Sequence, residues 1–225
     1  MTVIKDIRLF RSTVPNVDGN PLPSYADDRQ AALTARRIAM KLRESGFSLG
    51  DFDHLYVNFT PCLPEGAIRP AARSVCRENA WYRFYDVGIA PDAVDDLSGG
   101  GLTGFIINAV GRVLLECFSD AETVPLVRAS VRAATTEGDG MLMRLKQKTT
   151  GARTAVVYLR LLDSGRYVPR VCVYDAEGHE FACGEMAETV DLFSVGEVRL
   201  GAHKVTVMPR KSVLADGIEA FELTF

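Results

Sequence analysis

The sequence has no CxxC pair, no SxxK, and no Lys-Ser/Thr pair after its glycine-rich stretch. These absences exclude paired-cysteine metal frameworks, the Ser-Lys hydrolases and a P-loop. It also has no long apolar run. Lys5, Asp6 and Arg8 break up Val3, Ile4, Ile7 and Leu9, as a secretory leader would not allow. Residues 102–118, the most apolar later stretch, are shorter than a membrane span and contain Asn108, Arg112 and Glu116. No membrane segment is expected, and the cytoplasm is the expected location. Positive charge is not in excess either. With 26 basic against 29 acidic side chains the net charge is −3, so no global field draws in a polyanion and no nucleic-acid partner is expected. The 5 cysteines, Cys62, Cys76, Cys117, Cys172 and Cys183, are odd in number, which predicts free thiols in a reducing compartment.

What is present is the composition of a folded chain. Hydrophobic residues make up 47% and charged residues 24% of the 225 positions, enough to bury a core without help from a partner. Residues 2–11 read as a strand and residues 14–24, rich in proline and asparagine, as a long exposed connection. A helix is expected from Asp27 and Asp28, whose charges suit a helix N-terminus, to Gly46, a C-terminal cap. Leu33 or Ala35, Ile38, Ala39 and Leu42 form its buried stripe. Residues 54–60 alternate Leu55, Val57 and Phe59 with His54, Tyr56 and Asn58, as a strand does, and Pro61 and Pro64 end it. A further strand is expected over residues 81–89. Helices follow at about 102–118 and 121–136, with Ser119 and Glu122 forming a capping box for the second.

From Met141 the hydrophobic period becomes two. Strands are expected at 141–148, 154–162, 167–174, 180–183, 189–195, 204–208 and 218–225, with turns at 163–165 and 175–178. The expected fold class is therefore α+β, a mixed strand and helix half over residues 1–139 followed by an antiparallel β-meander over 140–225. The junction at Gly138 and Gly140 is too short to separate two domains from one.

Several short motifs carry chemistry elsewhere. Gly99, Gly101 and Gly104 match GxGxxG and lead into a helix, which would offer N–H groups to a phosphate, but Asp92, Asp95 and Asp96 precede them and repel an anion. The alternative is an ordinary glycine loop capped by Ser98 or Thr103. His179, Glu180 and Cys183 imitate HExxH, yet on a strand the first and last would stand roughly 13 Å apart. His54 beside Asp53 at a strand entrance suits an orienting role, although a cysteine could meet His54 or His203 in space. Asp51 and Asp53 form either a carboxylate pair or a solvated loop. Trp81, Tyr82, Phe84 and Tyr85 read as core and cross-strand packing. Neither cofactor nor metal is expected.

Charge patches remain. Arg29, Arg36 and Arg43 recur at heptad spacing, with Arg37 and Lys41 adjacent, and make a basic face on the first helix. Asp92, Asp95 and Asp96 make an acidic loop. Either is a candidate docking surface for another protein, with charge setting association rate and partner choice.

The stretch Asp53, His54, Leu55, Tyr56, Val57, Asn58, Phe59, Thr60, Pro61, with Trp81, Tyr82 and Arg83 downstream, resembles immunity proteins of bacterial toxin systems. The resemblance implies a small cytoplasmic protein that blocks a toxin by binding it, without catalysis. It spans the first half and carries over no contact positions. The expected function is a non-enzymatic protein-binding module, with an enzyme using residues 99–104 for a phosphate-bearing ligand as the alternative.

Overall fold

The structure, a computed structural model, describes residues 2–75, 77–97, 101–192, 194–211 and 217–225, with Arg77 described in its backbone alone. The chain divides into two compact units, Met1–Gly138 and Asp139–Phe225.

In the first unit, β1 (Asp6–Arg11) turns Ile7 and Leu9 to one face and Asp6, Arg8 and Phe10 to the other, the two-residue period of a strand. α1 (Arg29–Glu44) begins where Asp28 Oδ1 accepts the Ala31 N–H at 2.8 Å. It ends where Gly46 takes φ 74°, a left-handed conformation open to a residue without Cβ, and returns its N–H to the Arg43 carbonyl at 3.0 Å. β3 (His54–Thr60) and β5 (Tyr82–Gly88) run parallel to β1, while β2 (Ser24–Tyr25) and β4 (Ile68–Pro70) pair antiparallel at the edges, in the order β2-β1-β3-β5-β4. α2 (Ala93–Asp96) is a single turn, and α3 (Thr103–Phe118) and α4 (Val124–Thr136) follow.

α1 packs on β1, α3 and α4, and α3 reaches the sheet through Phe105 on Phe59 (6.3 Å) and Phe118 on Tyr85 (4.9 Å). The fully buried Ile38, Leu42, Leu55, Phe59, Ile106 and Leu114 belong to this core, each stabilising it by about 1.5–3 kcal/mol. β3 forms where its alternation predicts a strand, and both of its faces are buried. It is central, and Tyr56 and Asn58 are as buried as Leu55 and Val57 because chain covers the second face too.

Asp28 does more than cap α1. It is 2% exposed, and its second oxygen accepts the Thr103 hydroxyl at 2.7 Å, so one carboxylate joins the starts of α1 and α3. Asp28→Ala is expected to lower the unfolding free energy by about 2–3 kcal/mol, measured by urea titration, from a lost cap and a stranded hydroxyl. A change under about 0.5 kcal/mol would contradict this role.

The expected cap of α4 is corrected. Asp120, not Ser119, makes the turn, its Oδ1 accepting the N–H groups of Glu122 (3.1 Å) and Thr123 (2.9 Å), while the Ser119 hydroxyl donates to the Leu114 carbonyl at the end of α3. The connection over residues 14–24 is only partly exposed, with Asn16 buried and Ser24 already in β2.

The second unit is antiparallel throughout, as expected, and its consecutively paired strands fall into two sheets. β6 (Leu142–Thr150), β7 (Arg153–Leu161), β8 (Tyr167–Tyr174) and β9 (Glu180–Glu185) pair in sequence, and β10 (Val195–Leu200), β11 (Lys204–Pro209) and β12 (Phe221–Thr224) pair separately. Ala155, Val157, Val171 and Val173 of the first sheet meet Val195, Val205 and Val207 of the second in one apolar layer. The break falls between β9 and β10; of the strand expected over 189–195, Thr189 makes a single bridge to Tyr167 and Val195 opens β10. No helix among the described residues is long and apolar enough to cross a membrane.

The free-thiol expectation fails for one pair. Cys172 and Cys183 oppose each other on β8 and β9 and form a disulfide, because the register brings them together; Cys62 and Cys117 are free and Cys76 lies outside the described residues.

Candidate functional site

The sheet of the first unit has a second face, away from the helices, and it is aromatic. Register places Arg8 beside Tyr56, Tyr56 beside Phe84, and Asn58 beside Asp86. Phe10 stacks on Tyr25 (4.7 Å) and meets Tyr56 (4.8 Å) and Phe84 (5.1 Å). Tyr56 stacks on Tyr82 (4.4 Å), which meets Trp81 at 4.8 Å. Such pairs contribute about 0.5–1.5 kcal/mol each beyond buried area and hold the rings in fixed positions. The middle of this cluster is buried, but Tyr25 is 58% and Trp81 40% exposed, so Trp81 does not belong to the core as its sequence context suggests. Burial pushes the Tyr56 hydroxyl up to about 12, with the Arg8 guanidinium 5.7 Å above its ring opposing the shift.

Beside the rings lies a cavity of about 480 Å³ whose wall includes Leu22, Arg73, Val75, Tyr82, Arg83 and Phe84. Leu22 (62% exposed) and Val75 (42%) stand on its rim. Leu22 also lines a shallower hollow of about 310 Å³ with Arg11, Val14, Ser24 and Asp95.

Two loops are fixed over this face by polar contacts. Arg73 donates from Nε to Asn16 Oδ1 (2.8 Å) and from Nη2 to the carbonyls of Asn20 and Pro21 (both 2.9 Å). Asn16 and Asn58 each donate to Asp86 Oδ1, at 3.3 and 2.8 Å. Asp86 is 4% exposed, and burial pushes its carboxyl above the ordinary range against the pull of those amides and of Arg69 and Arg73. A carboxyl raised in the folded state adds stability below its unfolded pKa of about 3.9 and loses it as pH rises through the folded value. Asp86→Asn keeps an acceptor oxygen and removes that loss. The variant is therefore expected to be more stable than the parent at pH 7, with the gap closing by about pH 4 in urea unfolding curves; a less stable variant at pH 7 would contradict the assignment.

At the other end of β3, His54 Nδ1 lies 2.5 Å from Asp53 Oδ1, and Lys5 Nζ lies 2.6 Å from Asp53 Oδ2. Burial pushes the Asp53 carboxyl up, but the hydrogen bonds and charges of Lys5 and His54 outweigh it and hold the group below the usual range. The His54 ring meets Trp81 edge-on at 4.7 Å. His54 thus links a buried carboxylate to the exposed tryptophan, and its carboxylate, not a thiol, is the hydrogen-bond partner found among the described residues. Asp51 and Asp53 do not share a site, since Asp51 pairs with Arg83 at 3.0 Å. Cys62 Sγ donates to the Thr13 carbonyl, and burial pushes the Cys117 thiol up, away from reactivity. His203 is exposed in the turn before β11, and His179 is exposed in a turn 3.3 Å from Asp175.

Of the charge patches, Asp92, Asp95 and Asp96 are exposed, and Asp95 stands 3.9 Å from Arg11 at the hollow shared with Leu22. The basic stripe is not a uniformly solvated face. Arg29 is exposed, Arg36 is half-buried and 4.0 Å from Asp6, Arg37 is buried, Lys41 binds Glu44, and Arg43 is half-buried. Ser98, Gly99 and Gly100 lie outside the described residues. Thr103 is not a cap, because Leu102 holds that position and the Thr103 hydroxyl is bound to Asp28. A carboxylate at the start of α3 opposes a phosphate there.

These features define a two-unit α+β protein whose most distinctive surface is an aromatic sheet face with a partly exposed edge. Comparison with protein-family models, curated proteins and solved structures finds no match.

Proposed function

We propose that the chain is a non-enzymatic protein-binding module and that its partner is a bacterial toxin, which it blocks as an immunity-type inhibitor. The observation that carries the reading is the grouping of exposed Leu22, Tyr25, Val75 and Trp81 around rings locked by packing. Protein interfaces concentrate their energy in a few tyrosine, tryptophan and arginine anchors. Rings already held in place lose little freedom on binding, so more of their contact energy appears as affinity. Arg73 and Arg83 beside the rings and Asp95 at the hollow add charge of both signs, which selects among partners and speeds encounter. The toxin is the occupant implied by the sequence resemblance around β3 and Trp81.

Co-expression with toxins encoded beside the gene tests the reading. One toxin is expected to lose its toxicity and to co-elute with the chain. The single tryptophan provides a second signal, because covering Trp81 shifts its emission to shorter wavelength. Absence of rescue and of complex with every such toxin would overturn the proposal.

A further inference from the structure

The disulfide of the second unit lies on the outer face of its four-stranded sheet. Val171 and Val173 point into the apolar layer, so Cys172 between them points out, opposite Cys183. The backbone pairs Val171 with Gly184 and Val173 with Ala182 on either side, and the two Cα atoms are 4.2 Å apart. The ladder, rather than the sulfur bond, holds the cysteines together, so opening the bond leaves both sulfurs in place.

The sulfurs differ. Cys172 is 1% exposed, whereas Cys183 is half-buried and receives Arg170 Nε at 3.0 Å. Nearby charges pair off: Arg170 Nη2 lies 3.8 Å from Glu180 and Arg160 3.7 Å from Glu185, while Tyr158 and Tyr174 join hydroxyls at 3.2 Å. Glu180 brings a carboxylate oxygen within 4.8 Å of both sulfurs, a spacing that suits a metal ion, but a guanidinium on Cys183 repels a cation. The same guanidinium stabilises a thiolate.

We propose that Cys172–Cys183 is a reversible thiol–disulfide exchange site that takes a dithiol as its reductant. Access decides the order of events. A thiolate of the dithiol attacks Cys183 Sγ; a sulfur–sulfur bond forms there, the Cys172–Cys183 bond breaks, and its electron pair goes to Cys172, which takes a proton. The second thiol of the reagent loses its proton and attacks the reagent sulfur of the mixed disulfide, releasing Cys183 as a thiolate beside Arg170. The protein pair gains two electrons and the dithiol, closed to a disulfide, loses them. Reoxidation runs in reverse, with the Cys183 thiolate as nucleophile.

The test uses the full chain with Cys62, Cys76 and Cys117 replaced by serine, equilibrated with mixtures of reduced and oxidised dithiothreitol and quenched with iodoacetamide. Cys183 is expected to become alkylatable in the native state and to be protected again after return to the oxidising mixture, while Cys172, 1% exposed, is labelled only after unfolding. Species alkylated once carry the label on Cys183. Arg170→Gln slows reoxidation about three- to tenfold, and Arg170→Lys restores part of the rate. If the triple replacement does not fold, peptide-level mass spectrometry of the parent chain gives the same readout. Alkylation of Cys183 that occurs only in urea, failure of the oxidised reagent to reform the bond, or an Arg170→Gln rate equal to the parent's would overturn the proposal.

Discussion

Replacing Gly88 by alanine is expected to lower the unfolding free energy of the first unit by about 3–5 kcal/mol. A Cβ at this position would lie 1.9 Å from the Pro64 carbonyl oxygen, 2.8 Å from its carbon and 3.0 Å from the Leu63 oxygen. All three are backbone atoms, so no side chain can swing aside. The surrounding loop cannot drift off either, because the Gly88 N–H donates to the Ala67 carbonyl (2.8 Å) and the Gly88 carbonyl accepts from Gly66 (2.9 Å). Alanine must break this clamp or displace the end of β5, next to buried Asp86. Gly101→Ala is the control, since nothing lies within 4 Å of its added carbon, and a change within about 0.5 kcal/mol is expected. Urea unfolding compares the two. A Gly88→Ala protein within about 1 kcal/mol of the parent would mean that the loop does not close on β5.

The second large effect concerns binding rather than stability. Tyr25→Ala and Trp81→Ala are each expected to weaken the proposed toxin complex about thirtyfold or more, the effect of losing an interface anchor of about 2 kcal/mol. Both side chains are partly exposed, so the isolated chain should lose little stability, whereas Phe84→Ala removes a buried ring and should destabilise the fold by about 3–5 kcal/mol. Titration calorimetry separates these outcomes. Neutralising Asp92 and Asp96 should chiefly change the association rate, as rim charges do. Equal affinity of parent, Tyr25→Ala and Trp81→Ala proteins would remove the aromatic face from the interface.

The fold was largely legible because its elements follow local rules. Asp28 and Gly46 bracket α1, the two-residue period marks β1 and β3, and the turns at 163–165 and 175–178 separate β7, β8 and β9. What was not legible depends on residues far apart in the chain. Alternation marks β3 as a strand, but the loops carrying Asn16 and Arg73 cover its second face, and nothing local to β3 announces them. The division of the β-rich part into two sheets depends on which strands meet across the apolar layer, not on their individual patterns.

The site was less legible than the fold. Trp81 sits in an aromatic run that reads as core, and its exposure comes from its place one residue before β5 begins. Tyr25 gave no signal, since β2 is two residues long and exists only by pairing with β1. The charge stripe on α1 overstated its exposure because a helix packed on a strand and two helices has little free surface left for arginines. Cys172 and Cys183 lie 11 residues apart, and only a hairpin register that puts them opposite makes a pair of them.

The most direct test is hydrogen–deuterium exchange on the chain alone and bound to the proposed toxin partner selected by co-expression. The account predicts new protection over residues 20–25 and 71–84, with β6 to β9 unchanged. Protection confined to residues 139–225, with the aromatic face exchanging as in the free chain, would contradict it.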